Sequence, residues 1–185
     1  MIVVNLYGGP SAGKSTVALG LTHLLKMEHL EAEFANEYAK ALTLEGRANI
    51  LKRDQLYIFA KQHRKLQRLE EAGCRIAVTD CPLLLCCVYF GPGNRYPRSA
   101  FNSLVIGTHD TYENWNFFLK RDPQNPYQQF GRSQSLEEAE ALDSMIRSTL
   151  RRMRVGYDVL VGDEEAVPTI FNAVMSRIEH NKEVA

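Results

Sequence analysis

Ile2-Val3-Val4-Asn5-Leu6-Tyr7-Gly8-Gly9-Pro10-Ser11-Ala12-Gly13-Lys14-Ser15-Thr16-Val17 is the stretch that decides the fold. Its apolar, largely β-branched opening (Ile2, Val3, Val4, Leu6) reads as a buried strand. A loop of small residues follows from Gly8 to Gly13, and Lys14, Ser15 and Thr16 open a helix. Residues 8–15 satisfy the pattern G-x-x-x-x-G-K-[ST] between a strand and a helix, the context in which that pattern forms a P-loop. Glycines let the backbone curl so that its N–H groups converge on phosphate oxygens. The helix start adds the positive end of its dipole. Lys14 is placed to bridge the β- and γ-phosphates, and the Ser15 hydroxyl to hold Mg²⁺. The expected ligand is a nucleoside triphosphate.

The rest of the composition is consistent with a single domain over residues 1–185. Lys+Arg and Asp+Glu each number 22, so the formal charge is zero and no global basic field announces nucleic acid. Cys74, Cys81, Cys86 and Cys87 lack paired C-x-x-C spacing; they read as reduced thiols in or near a core, with no zinc site expected. No signal peptide is expected from the first residues, and the apolar run near residues 81–90 is too short to span a bilayer. A cytoplasmic protein without a membrane partner is the expectation.

Downstream, helical spacing of Val17, Leu19, Leu21, Leu24 and Leu25 predicts a helix over residues 14–29, and residues 31–36 read as a second strand ending at Glu37. A helix over 53–72 carries Leu56, Phe59, Ala60 and Leu66 on one side. Its other side holds Lys52, Arg53, Lys61, His63, Arg64, Lys65 and Arg68, either a solvated face or a surface for nucleic-acid phosphates. Residues 75–79 form a strand closed by Asp80, the position of a Walker B carboxylate. Turn formers and the mix of Arg95, Tyr96, Arg98 and Phe101 make 91–111 a loop-rich insertion beside the substrate site, its aromatics suited to stacking on a base. Residues 116–119 are a strand. Residues 120–134, with Arg121 and Arg132 near the ends, read as a lid whose cations could stabilise a phosphoryl group, or as a plain polar loop. An acidic helix over 136–154, a strand over 157–161 and a helix over 168–180 complete an α/β fold: a parallel sheet flanked by helices, with a short lid loop.

A P-loop leaves the acceptor open. A kinase, an ATPase and a regulatory nucleotide-binding protein compete, and three features favour the kinase. The chain is short for a motor ATPase with its extra helical subdomain, the two-arginine lid follows the fourth strand, and Glu37 ends the second strand at the carboxyl edge of the sheet. There it could take the proton of an attacking hydroxyl. Glu37 as a helix cap or a surface acid remains the alternative.

Several blocks resemble a group of bacteriophage P-loop kinases akin to thymidylate and deoxynucleoside kinases. These are Leu6-Tyr7-Gly8-Gly9-Pro10, Asn36-Glu37-Tyr38-Ala39-Lys40, Asp54-Gln55-Leu56-Tyr57, Thr79-Asp80-Cys81-Pro82-Leu83, Asn116-Phe117-Phe118-Leu119 and Gly131-Arg132-Ser133-Gln134. They run in order along almost the whole chain. Some members of that group phosphorylate 5-hydroxymethyl-2'-deoxyuridine already in phage DNA; others are described only as ATPases. The resemblance implies that Gly8, Gly9, Pro10, Ser11, Ala12, Gly13, Lys14, Ser15 and Thr16 hold ATP and Mg²⁺, with Ser15 and Asp80 toward the metal. Glu37 would be the base, with Asp80 ordering Mg²⁺ or contacting the acceptor, Arg121 and Arg132 would be lid arginines, and Gln55, Gln62 or Tyr38 would meet the acceptor base. Cys81-Pro82 replaces the Arg-Ser that often follows the acid in deoxynucleoside kinases, so their sugar contacts do not carry over.

The expected function is therefore phosphorylation of the 5-hydroxymethyl group of a modified uracil in DNA, a step in thymidine hypermodification, in the cytoplasm of a phage host. Alternatives are a free deoxynucleoside or nucleoside monophosphate kinase and an ATPase accessory protein. The basic helix and the loop carrying Arg95 and Arg98 are the candidate DNA surface. ATP, DNA containing 5-hydroxymethyluracil and a second copy of the chain in a homodimer are the expected partners.

Overall fold

A computed structural model describes residues 1–125, 127 and 134–184, and the side chains of all of these except 181–184. Arg132, one of the two lid arginines expected above, lies outside the described residues.

Among the described residues five strands form one sheet: β1 (Ile2–Tyr7), β2 (Ala32–Ala35), β3 (Ile76–Thr79), β4 (Glu113–Lys120) and β5 (Asp158–Val161). Their order is β2-β3-β1-β4-β5 and every pairing is parallel. β1 lies at the centre, with Val4 opposite Val78 on one side and Trp115 on the other. Covered on both faces, β1 is apolar almost throughout instead of alternating. The chain leaves β1 toward β2 and β3 on one side and reaches β4 and β5 on the other. The carboxyl end of β1 is thus a switch point, where an open α/β sheet forms its ligand crevice.

One face is covered by α1 (Lys14–Met27) and α8 (Ala166–Val184), through Val17, Leu21 and Leu25 of the first and Ile170 and Val174 of the second, packed on Val4, Leu6 and Phe117. Leu19, placed by its spacing among the apolar residues of α1, turns outward and is exposed. The other face carries α2 (Tyr38–Leu44), α3 (Asn49–Arg53), α4 (Gln55–Glu71), α5 (Leu85–Tyr89), α6 (Arg98–His109) and α7 (Leu136–Arg152). Asp54 caps α4 by accepting the Tyr57 N–H at 3.0 Å, and its buried residues are Gln55, Ile58, Phe59, Gln62 and Leu66, with Ala60 exposed. A reciprocal Ser135–Glu138 capping box fixes where α7 begins.

Residues 91–111 are not the loop-rich insertion their composition predicts, because α6 occupies residues 98–109. Phe101 and Val105 are buried at helical spacing, and Phe101 packs on Phe59 and Phe90 instead of standing ready for a base. Arg98 lies over the Phe90 ring and donates to the carbonyl oxygens of Cys87 and Phe90. It ties α6 to the end of α5. Cys81, Cys86 and Cys87 are buried free thiols and Cys74 is partly exposed. No helix among the described residues is long and apolar enough to cross a membrane.

Candidate nucleotide site and acceptor side

β1 delivers the chain into the loop at residues 8–13, where Gly8, Ser11 and Gly13 take positive φ values of 145°, 64° and 81°. α1 then starts at Lys14 without a side-chain cap, so the first N–H groups of the helix face the loop, as an anion site requires. The loop is wedged against the turn after β5. Gly162 donates its N–H to the carbonyl of Lys120 at 2.8 Å, and a Cβ on it would collide with the Ala12 carbonyl. A Cβ on Gly13 would lie 2.7 Å from the Gly162 oxygen. Gly162→Ala is accordingly expected to weaken ATP binding at least about tenfold and to lower the melting temperature, since overpacking costs about 1–3 kcal/mol. Unchanged affinity in a nucleotide titration would mean that the turn does not brace the loop.

Lys14 Nζ donates to the Gly9 carbonyl at 2.9 Å. Burial lowers its ammonium below the ordinary lysine range, and the charges of Glu37, Asp80, Cys81 and Asp143, in that order, oppose the shift. Ser15 Oγ donates to Asp80 Oδ2 at 2.6 Å. Asp80 is nearly inaccessible at the end of β3, and its Oδ1 is buried without a hydrogen-bond partner. A hydroxyl beside a carboxylate with one unsatisfied buried oxygen fits a hard divalent cation such as Mg²⁺, which Ser15 and Asp80 would hold.

Arg121 stands just beyond the end of β4, and both of its Nη atoms donate to Oδ2 of Asp143 on α7. Oδ1 of Asp143 accepts the Gly9 N–H at 2.5 Å. Burial raises the Asp143 carboxyl, while Gly9, Arg121 and Lys14 pull it back. Asp143 was not among the expected site residues, although a signal for it existed. Ala139, Asp143, Ile146 and Leu150 follow the core spacing of α7, and an acid in that series stands where an apolar side chain is due.

On the other side of Lys14, β2 ends at Ala35 and Glu37 stands at the start of α2, half-buried, making no capping hydrogen bond with its side chain. Lys65 reaches over from α4 to donate to Asn36 O and Oδ1 at 2.8 and 2.6 Å. Burial lowers its ammonium, against the charges of Cys81, Asp80 and Glu37. Lys65 also lies over the Tyr38 ring and Lys61 over the Tyr57 ring; the two tyrosine hydroxyls are 2.6 Å apart. Tyr89 of α5 closes this side, its phenol pushed up by burial and then by the charges of Glu37, Cys81 and Asp143.

Gln55 and Gln62, expected to meet the acceptor base, point into the protein. Gln62 is inaccessible; its amide donates to Ala35 O and Thr79 Oγ1, and its oxygen accepts the Tyr38 N–H at 3.2 Å. It caps α2 from α4. Gln55, also buried, donates through Nε2 to Leu51 O at 2.5 Å and through its backbone to Asn94 Oδ1 at 2.7 Å. Of the three acceptor candidates, only Tyr38 keeps a partly exposed side chain on the Glu37 side.

The site thus gathers a phosphate loop, a lysine, a hydroxyl–carboxylate pair and an arginine at the switch point of a parallel sheet. No curated protein matches the chain. Residues 3–166 match the family model of the AAA domain. With a P-loop at the head of that match, the chain belongs to the AAA domain family of P-loop nucleotide-binding proteins.

Proposed function

We propose that the chain is an ATP- and Mg²⁺-dependent kinase that phosphorylates a nucleoside hydroxyl, the acceptor being the 5-hydroxymethyl group of a modified uracil in DNA. The observation that supports transfer over hydrolysis is the place of Glu37 at the start of α2, beyond the end of β2. Glu37 stands outside the phosphate loop, and its charge is the first of those bearing on the Lys14 ammonium. The residue directly after Asp80 is a buried thiol whose pKa is raised well above the ordinary range, so it cannot take a proton from water near neutral pH. In this reading Glu37, at the start of α2 beyond the end of β2, is the carboxylate that serves the incoming hydroxyl.

In this mechanism the P-loop amides and Lys14 hold the β- and γ-phosphates. Ser15 and Asp80 would hold Mg²⁺, which would supply neutralisation of phosphate charge. Glu37 accepts the hydroxyl proton as the acceptor oxygen bonds to the γ-phosphorus. The bond from that phosphorus to the bridging oxygen breaks, and ADP leaves. Arg121 stabilises the charge on the transferring group. Tyr38 and Tyr57 offer aromatic faces to the acceptor base, and Lys61 and Lys65 flank them. A base in a duplex would have to be flipped out to reach Glu37.

A second reading, a free deoxynucleoside or mononucleotide as acceptor, is favoured by the guanidinium of Arg98, which is spent on the carbonyls of Cys87 and Phe90, and by the burial of Phe101, which withdraws it from stacking on a base. One experiment separates the two. γ-Labelled ATP is supplied with an oligonucleotide containing 5-hydroxymethyl-deoxyuridine, with its unmodified counterpart, and with a pool of nucleosides and mononucleotides. Label on the modified oligonucleotide alone is the expected result; label only in the pool makes the acceptor a free metabolite. Release of free phosphate with no labelled acceptor would overturn the kinase reading.

A further inference from the structure

Gly9 carries two of the contacts described above on its single peptide unit. Its carbonyl accepts Lys14 Nζ at 2.9 Å, and its N–H donates to Asp143 at 2.5 Å. Asp143 in turn grips the Arg121 guanidinium by both ends, with the two side chains only 14% and 21% exposed. The fit leaves no slack. A Cβ on Gly9 would lie 2.6 Å from Asp143 Oδ1, 2.7 Å from the Ala139 carbonyl and 3.3 Å from Arg121 Nη2. The loop, α7 and the arginine are therefore in direct contact on the flank of the P-loop where Lys14 is held, the lysine that meets the β- and γ-phosphates.

We propose that Asp143 is a positioning residue of the nucleotide site, anchoring Arg121 to the P-loop so that its guanidinium meets the terminal phosphate of a nucleoside triphosphate. An arginine side chain that is free to rotate loses conformational entropy when it is fixed on a phosphate. Here the two-point contact to a carboxylate on a helix fixes it beforehand. The N–H donors that Asp143 does not use remain for phosphate oxygens. A diphosphate, lacking the terminal group, gains little from the arrangement, so the pair is a device for telling ATP from ADP. This inference rests on the reading of Arg121 as a phosphoryl contact, but neither on the acceptor nor on turnover.

Direct binding of ATP and of ADP, measured by displacement of a fluorescent nucleotide from the full chain, tests it in four proteins. These are the wild type, Arg121→Ala, Asp143→Asn and the double variant, with melting temperatures recorded alongside. The wild type is expected to prefer ATP, and each single variant to lose about tenfold of that preference. The double variant should lose no more than Arg121→Ala alone, because groups that act as one unit are not additive. Asp143→Asn keeps an oxygen for the Gly9 N–H, so a change in ATP preference without a large fall in melting temperature is the expected signature. Should it melt below the assay temperature, Arg121→Lys keeps the charge, loses the fork and is expected to show the same loss. Full preference in that lysine variant would overturn the proposal. If Arg121→Ala retains the wild-type preference, the reading of Arg121 itself fails and the inference with it. If Arg121→Ala loses it but Asp143→Asn does not, Arg121 stands as a phosphate contact and Asp143 is no positioning residue. A stronger preference for ATP in Asp143→Asn would make the carboxylate a competitor of the phosphate and overturn the proposal.

Discussion

Lys14→Ala is expected to lower the affinity for ATP and the turnover of its γ-phosphoryl group by about 10²–10³-fold, the scale on which a pre-placed charge acts in a shielded site. The loss exceeds a missing contact, because Glu37, Asp80 and Asp143 all bear on the Lys14 ammonium. Without it these carboxylates face a triphosphate with Arg121, already committed to Asp143, and Lys65, held on Asn36, as the nearby cations. The same environment gives a pH dependence. Burial favours the neutral amine, so the Lys14 pKa in the free protein is lowered. ATP affinity, which needs the ammonium, is then fully present below that lowered pKa. It is expected to fall as pH rises through it, at a lower pH than for an ordinary lysine. Titration with nucleotide across alkaline pH checks the sign. Affinity of Lys14→Ala within threefold of the wild type would mean that the loop at residues 8–15 does not hold the triphosphate.

How much of this was legible beforehand depended on whether the physics is local. The P-loop, the strand before it and the helix after it are written in consecutive residues, and β1 and α1 fall where the pattern put them. The strand ending at Asp80 is equally plain, because buried parallel strands are short apolar runs, whereas the strand before Arg121 spans Glu113–Lys120 and only its apolar part, 116–119, is legible. The short helices α2, α3 and α5 were missed; none exceeds two turns, and periodicity needs more length than that to register. α6 was hidden by the turn formers before it. Among them Pro97 stands at the N-cap position, so what looked like continued loop was a helix start. Polar residues on core stripes misled in both directions. Gln62 was given a base to read, yet a wholly buried amide on α4 has to satisfy the protein first, and it does so with Ala35, Thr79 and Tyr38. Asp143, by contrast, was read as one more acid of an acidic helix. Its partners, Gly9 and Arg121, are 134 and 22 residues away in sequence, and no local pattern announces such a meeting.

Glu37→Gln is expected to lower phosphoryl transfer to the acceptor hydroxyl by about 10²–10⁴-fold, the usual contribution of a positioned general base. The substitution keeps the shape of the side chain and removes its ability to take a proton. Capping of α2 is not at stake, because the Glu37 side chain makes no capping hydrogen bond and Gln62 already accepts the Tyr38 N–H. ATP affinity should stay within a few-fold of the wild type, since Lys14 keeps Gly9, Asp80 and Asp143 around it. The informative comparison is with hydrolysis in the absence of acceptor. A base that serves the acceptor alone leaves slow loss of phosphate to water unchanged when it becomes an amide, so transfer falls and hydrolysis does not. An equal fall in both would mean that Glu37 orients water, and the chain would then be an ATPase whose energy goes elsewhere. Full transfer in Glu37→Gln would instead mean that Glu37 is not the base, and the role would pass to Asp80 at the end of the neighbouring strand β3.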